Sequence, residues 1–418
     1  MSNAGFILLA LVAGLSFGLI GSAGAPALTA NLLAFADPVG ALWLNGLRMT
    51  VVPLVVSLLI TGIAQTAQAA RAGRLAGLAL GWIVAVMAVS GLIGAFMMPL
   101  LLHVWPIPAD AAAALRAALG AAPTVAPPPP FGEFLKGIVP TNPIAAAADD
   151  AILPLIIFTA AFGFALTRLP EAPRAHLVDT FSAVADAMII VIGWVLRIAP
   201  IGVLALAFGV GARSGAAAFG ALLHYVLLVS AIGVAISLAA YLVAVIGGRI
   251  RLRDYARRIL PVQAVAISTQ SSLACLPIML RKSVQLGVHP STADVVLPMA
   301  VALMRATGPA MNIAVALYVA HWFGIVIQPA QLALAVMVCV LTSMSSVSLP
   351  GQVSFVTSIA PICLVLGVPV APLALLLAVE TLPDIMRTLG NAMMDVAVTC
   401  GIARRDGTEA SGPEVLSD

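Results

Sequence analysis

Residues 380–395, ETLPDIMRTLGNAMMD, interrupt a long apolar run with Glu380, Asp384, Arg387, Thr388, Asn391 and Asp395. At 100° per residue, positions 380, 384, 387, 391 and 395 fall within an arc of roughly 80° on a helix. Leu382, Ile385, Met386 and Leu389 take the other face. A charge at the centre of a bilayer costs about 2.5–3.5 kcal/mol on insertion scales. Charges at Glu380, Asp384, Arg387 and Asp395 therefore need a cavity, partners or a ligand, and this face is a candidate binding site.

The rest of the chain explains why bilayer depth is the right frame. Of 418 residues, 62% are hydrophobic and 9% charged, against about 25% charged in soluble domains. Apolar runs of spanning length recur from end to end, rich in Leu, Ala, Val and Gly and without alternation. That pattern predicts an all-α polytopic membrane protein and excludes an outer-membrane barrel. The net charge of +3 is small, and no nucleic-acid partner is implied; the expected contacts are membrane lipid and a small anionic solute. Cys275, Cys339, Cys363 and Cys400 sit singly in apolar segments, as packing residues, implying neither disulfide nor metal. Phe6 onward reads as a retained first span, since a basic leader region and cleavage site are missing before it.

In order, spans are expected near 6–24, 41–63 (after Asp37-Pro38) and 75–102, then a fourth broken by Pro140, Pro143 and Pro154. A fifth passes through Ala199-Pro200-Ile201-Gly202 to about Val210, and a sixth covers about 217–246. Basic residues follow spans two, four and six, densest at Arg249, Arg251, Arg253, Arg257 and Arg258, and Arg404 and Arg405 follow the last. Positive charge in short loops faces the cytoplasm. Both termini are therefore expected inside a bacterial inner membrane, with the Pro-rich loop outside. Beyond residue 258, the stretches 268–277 (STQSSLACLP) and 343–351 (SMSSVSLPG) are too polar and broken for lipid-facing helices. Each places Ser-Ser shortly before Leu-Pro, the paired interruption that marks a midplane site in repeat-built secondary transporters.

At this point the chain resembles the dicarboxylate/amino acid:cation symporters, the glutamate transporter family. The resemblance rests on RMTVVP at 48–53, IVPTNP at 138–143, APIG at 199–202, the serine-rich first tip, Leu349-Pro350-Gly351 in the second, and the last helix. It implies eight spans, two re-entrant hairpins in inverted repeats, a homotrimer, and elevator movement of a transport domain against a scaffold. Residues 1–105 then hold scaffold and transport-domain spans one to three, and 106–133 an extracellular loop. Spans four to six occupy 134–247, the transport core 248–404, and a cytoplasmic tail 405–418. Arg387 matches the arginine gripping the solute's side-chain carboxylate, Asp384 the acid receiving its ammonium, and Thr388 and Asn391 further polar contacts. Ser271 and Ser272 match first-hairpin residues, and Leu349, Pro350 and Gly351 the second-hairpin gate. Dicarboxylate members generally lack an acid at the position of Asp384, so an acidic amino acid is favoured over a C4-dicarboxylate.

The seventh span departs from the family. Where the family has a sodium-binding Asn-Met-Asp-Gly-Thr, this chain has Met304, Arg305, Ala306, Thr307 and Gly308. Ala302, Ile83, Val86 and Met87 likewise replace oxygen-bearing or aromatic positions. Only Asp395, and Asn391 through its backbone, remain of the sodium sites, which leaves the coupling ion open between proton and sodium. Arg305 is expected to pair with Asp395 as a tethered cation. Glu380, Asp384 and His321 are proton-carrier candidates, since burial penalises a carboxylate's charged form. Plainer readings stand beside these. The spacing of Glu380, Asp384 and Arg387 also suits a structural stitch, Asp395 with Arg305 an inert buried pair, and His321 an interfacial anchor. His103, His176, His224 and His289 lie near segment ends and carry no assignment. No cofactor is implied, and an enzyme is not expected, since GxSxG, HExxH and Walker patterns are missing. The competing class is a channel or a sensor that binds solute without coupling it.

Overall fold

The computed structural model describes residues 3–71, 74–108, 139–149, 152–214, 217–345 and 351–407, and these residues are mostly helical with no strand among them. The first half contains α1 (Asn3–Gly24), α2 (Pro26–Arg48), α3 (Val51–Arg71), α4 (Arg74–Val104), α5 (Pro143–Ala148), α6 (Ile152–Leu166), α7 (Glu171–Arg197) and α8 (Ala199–Ser214). The second half contains α9 (Ala217–Leu242), α10 (Leu252–Thr269), α11 (Ser272–Gln285), α12 (Pro290–Leu303), α13 (Thr307–Phe323), α14 (Pro329–Ser345), α15 (Gly351–Val365), α16 (Pro372–Leu377) and α17 (Thr381–Asp406). A single π-helical turn, Val243–Gly247, closes α9. Among the described residues, five stretches are long and apolar enough to cross a membrane: 26–46, 74–104, 171–197, 219–247 and 290–323.

The helices pack as two groups. α1, α2, α3, α6, α7 and α8 pack mainly on one another, whereas α4, α9 and α10 to α13 gather around α17. The α14/α15 hairpin touches both groups. α17 is therefore central, and its last turns are buried on every side from Asn391 to Ala403. Such all-round burial suits a helix enclosed by protein rather than lipid.

The break in the second span falls elsewhere than the sequence places it. The chain stays helical through Asp37 and Pro38 and turns at Met49 and Thr50. Asp37 is not a loop residue there, because it forms an ion pair with Arg213 at the end of α8. Trp43 anchors the same helix by donating Nε1–H to the Val195 carbonyl at 3.0 Å. The fifth span is also divided, with Ile198 between α7 and α8, just ahead of Pro200. The expected Pro-rich loop lies largely outside the described residues, as do Leu349 and Pro350 of the second tip.

Small residues set the closest helix contacts. A Cβ at Gly94 in α4 would overlap the Ala310 carbonyl of α13. In a membrane, where lipid is as apolar as leucine, such close approach supplies much of the packing energy. Gly94→Leu is expected to destabilise the protein by about 1–3 kcal/mol or more, read as a lower melting temperature in detergent.

Candidate functional site

Glu380 ends the turn between α16 and α17, and Asp384, Arg387, Thr388, Asn391 and Asp395 follow along one buried face of α17. The polar face expected from the sequence is therefore assembled. Arg387 is its hub. Its Nη2–H group donates to Glu380 Oε1 at 2.8 Å, and Nη1–H to Asn312 Oδ1 of α13, also at 2.8 Å. Its Nε stands 3.5 Å from Asp384 Oδ1. The Tyr225 hydroxyl of α9 donates to the second Glu380 oxygen at 3.2 Å. Glu380 is 1% exposed, so both its oxygens are used where water cannot reach them. A buried ion of this kind persists only when paired and fully hydrogen-bonded.

The seventh span is broken at Met304, Arg305 and Ala306, between α12 and α13. Freed backbone groups at this depth need partners. Ser90 of α4 supplies one by donating to the Ala306 carbonyl. Thr307 ties the break to α17: its N–H donates to Asn391 Oδ1 at 2.9 Å, and its hydroxyl lies 2.8 Å from the same oxygen and 3.0 Å from the Arg387 carbonyl. The break is thereby locked to α17 beside the Arg387 cluster. Asn391 keeps its two amide N–H donors for another partner.

Arg305 lies in this break, within electrostatic reach of Asp384, Asp395 and Arg387. Between Arg305 and Asp395, expected to pair, the interaction is electrostatic without a hydrogen bond. Asp395 is wholly buried, and neither of its oxygens has a hydrogen-bond partner.

At the first hairpin tip, Gln270 takes a left-handed conformation (φ 50°) that ends α10. Ser271 then caps α11, its hydroxyl accepting from the Ala274 N–H at 3.3 Å. Ser271 thus has a structural duty, and Ser272 is the first residue of the helix. Gly351 opens α15. His321 stands apart, exposed near the end of α13, fourteen residues or roughly 21 Å of rise beyond Thr307.

Three partners escaped the sequence reading: Asn312, Tyr225 and Thr307. A fourth polar group, His224, is buried rather than terminal. Its ring lies 3.1 Å from the Tyr318 hydroxyl through Nδ1 and 2.9 Å from the Trp105 carbonyl through Nε2. A lone Asn or His inside an apolar run is the signal that could have flagged Asn312 and His224.

A helical bundle that encloses paired acids and an arginine beside a broken helix suits a carrier for small charged solutes. Residues 4–405 match the model of the sodium:dicarboxylate symporter family, and the chain belongs to that family. It is similar to the proton/glutamate-aspartate symporter of Escherichia coli, 28% identical over 352 residues that cover 82% of this chain and 78% of that one. It is also similar to C4-dicarboxylate transport protein 1 of Pseudomonas aeruginosa, 27% identical over 381 residues covering 87% and 80%. The chain is a membrane transporter, not an enzyme.

The family description names sodium, and the residues here do not fit that ion. A hard cation needs several oxygen ligands. Met304 and Ala306 bring no side-chain oxygen, and a guanidinium stands in the field of the remaining carboxylate, Asp395.

Proposed function

We propose that this transporter carries an acidic amino acid across the bacterial inner membrane, with its termini in the cytoplasm and without sodium as coupling ion. The observation that carries the reading is the juxtaposition of Asp384 and Arg387, 3.5 Å apart in a buried site. An acidic amino acid has an ammonium group and a side-chain carboxylate, and such a pair can take one of each. The guanidinium fork suits the carboxylate. Asn391 and Thr388, on the same face, are in place for the remaining polar groups. The Escherichia coli relative named as a proton/glutamate-aspartate symporter supports both the solute and a proton in place of sodium. Elevator movement is supported by the two packing groups, with the α14/α15 hairpin lying between them. A homotrimer rests on the family resemblance.

A second reading, a C4-dicarboxylate, is favoured by Arg305. Two guanidinium groups near Asp384 offer a cation to each end of a dicarboxylate. The two readings separate on one substitution. Asp384→Ala is expected to weaken aspartate uptake at least tenfold more than succinate uptake in proteoliposomes. An unchanged aspartate-to-succinate ratio would remove the amino-acid assignment.

A further inference from the structure

A proton in place of sodium needs a residue to hold it. In the α17 cluster both Glu380 oxygens are already engaged, one by Arg387 and one by Tyr225. His224 of α9 is a buried titratable group outside that cluster, 4% exposed. It joins three helices. Its Nδ1 lies 3.1 Å from the Tyr318 hydroxyl of α13, and its Nε2 lies 2.9 Å from the Trp105 carbonyl just past the end of α4. The Trp105 ring packs on the imidazole at 80°, with 4.8 Å between centroids, and is itself 51% exposed.

The partners fix where the hydrogens go. A carbonyl oxygen accepts and never donates, so Nε2 carries the hydrogen of its bond to Trp105 in every state of the ring. The Tyr318 hydroxyl has one hydrogen and two acceptors in reach, Nδ1 and the Ala221 carbonyl at 3.0 Å. Beside a neutral imidazole it donates to Nδ1. Beside an imidazolium, Nδ1–H donates to the Tyr318 oxygen, and the tyrosine hydrogen turns to Ala221. Rotation of one hydroxyl thus serves both states, with both ring nitrogens partnered in each. A buried polar group is costly mainly when left unpaired, so this arrangement suits a ring that gains and loses a proton. The titratable groups around it are Tyr318 and His321 of α13 and Tyr225, the next residue of α9; α4 presents the Trp105 carbonyl, and Glu380 lies behind Tyr225, accepting from its hydroxyl. Among the described residues no carboxylate pairs with His224.

We propose that His224 is the binding site of the coupling proton: a proton from water joins Nδ1 when an acidic solute occupies the α17 cluster, and leaves when the solute leaves. This rests on the reading of a proton in place of sodium. Charge balance drives the pairing. An imidazolium at His224 has no counter-charge among the described residues, and an acidic solute brings a net negative charge to the same group of helices. Either charge alone is expensive to carry at bilayer depth, and together they cancel. Tyr225 connects the two places. Its ring packs against Tyr318 with 5.3 Å between centroids, and its hydroxyl donates to Glu380, the partner of Arg387. Linkage is reciprocal, so a solute that favours the protonated ring is itself bound more tightly as pH falls.

The test counts protons. Aspartate, and in a parallel series succinate, is added to the purified full-length transporter in weakly buffered choline chloride, and an indicator dye follows the pH while binding is measured. Wild type is expected to take up close to one proton per solute bound, and its affinity to weaken by up to about tenfold per pH unit as pH rises. His224→Gln is the decisive variant. Its amide can donate to the Trp105 carbonyl and accept from Tyr318, but it takes no proton. It should bind solute without proton uptake and with an affinity independent of pH. A merely structural His224 predicts something else, a lower melting temperature in detergent with the proton count per bound solute unchanged. Tyr318→Phe guards against a His224→Gln protein that does not fold. Without the hydroxyl, Nδ1–H loses its acceptor, and proton uptake should move to lower pH by about one unit. A wild-type proton count in His224→Gln, or an unmoved uptake midpoint in Tyr318→Phe, would overturn the assignment of His224 alone. Wild type that takes up no proton and binds only when sodium replaces choline would instead remove the coupling reading on which it rests.

Discussion

Arg387→Ala is expected to abolish saturable binding of acidic solutes, with at least a hundredfold loss of affinity for aspartate and succinate alike. The guanidinium is the cation at the centre of the site, with Glu380 on one side, Asp384 on the other and Asn312 fixing its plane. Charge-assisted hydrogen bonds contribute about 1.5–3 kcal/mol each, and a forked contact makes two. Losing both removes roughly 3–6 kcal/mol, more than the ~2.7 kcal/mol of a hundredfold change in Kd. Truncation also leaves two buried carboxylates facing each other, and breaking a buried pair costs about 3–5 kcal/mol of stability. Loss of binding must therefore be separated from loss of fold. Arg387→Lys does this, because it keeps the charge and loses the fork. It is expected to stay folded by size-exclusion profile and to bind more weakly than wild type. An Arg387→Ala protein that still binds succinate with wild-type affinity would show that the solute lies elsewhere.

The polar face of α17 was legible because charge inside an apolar run has no other economical explanation. The order of spans and hairpins was legible for a related reason: prolines, serine pairs and arginine clusters punctuate runs that are otherwise uniform. What could not be read was which distant residues complete the face. Tyr225 and Asn312 sit in largely apolar segments, and only the packing of α9 and α13 against α17 gives them their partners. Asp37-Pro38 misled for the opposite reason. An acid beside a proline resembles a loop until Arg213, 176 positions away, accounts for the acid. The alignment of Arg305 opposite Asp395 puts the two in one electrostatic neighbourhood, without a hydrogen bond to either carboxylate oxygen. Thr307 ties the break beside Arg305 to α17, through Asn391 Oδ1 and the Arg387 carbonyl rather than through Asp395.

Glu380→Ala is expected to cost about 3–5 kcal/mol of stability, because it strands Arg387 and the Tyr225 hydroxyl in a water-free site. The apparent melting temperature in detergent reads this loss. Its effect on binding has two opposing parts. Glu380 braces the guanidinium, which favours solute binding, and it also occupies the Nη2 edge that a solute carboxylate would seek. Glu380→Gln separates the two. The amide keeps the volume and one acceptor for Arg387, and the Tyr225 hydroxyl can turn to accept from the new NH2 group. The brace is then largely retained while the rival charge is gone. If competition dominates, Glu380→Gln binds aspartate and succinate several-fold more tightly than wild type. If bracing dominates, both bind more weakly. Competition is the expected outcome, because charge-assisted bonds are roughly twice as strong as neutral ones. The guanidinium exchanges a neutral amide for a carboxylate at a gain, but a carboxylate for a carboxylate at almost none. Weaker binding of both solutes by a folded Glu380→Gln protein would reverse that conclusion and make Glu380 a support for Arg387 alone.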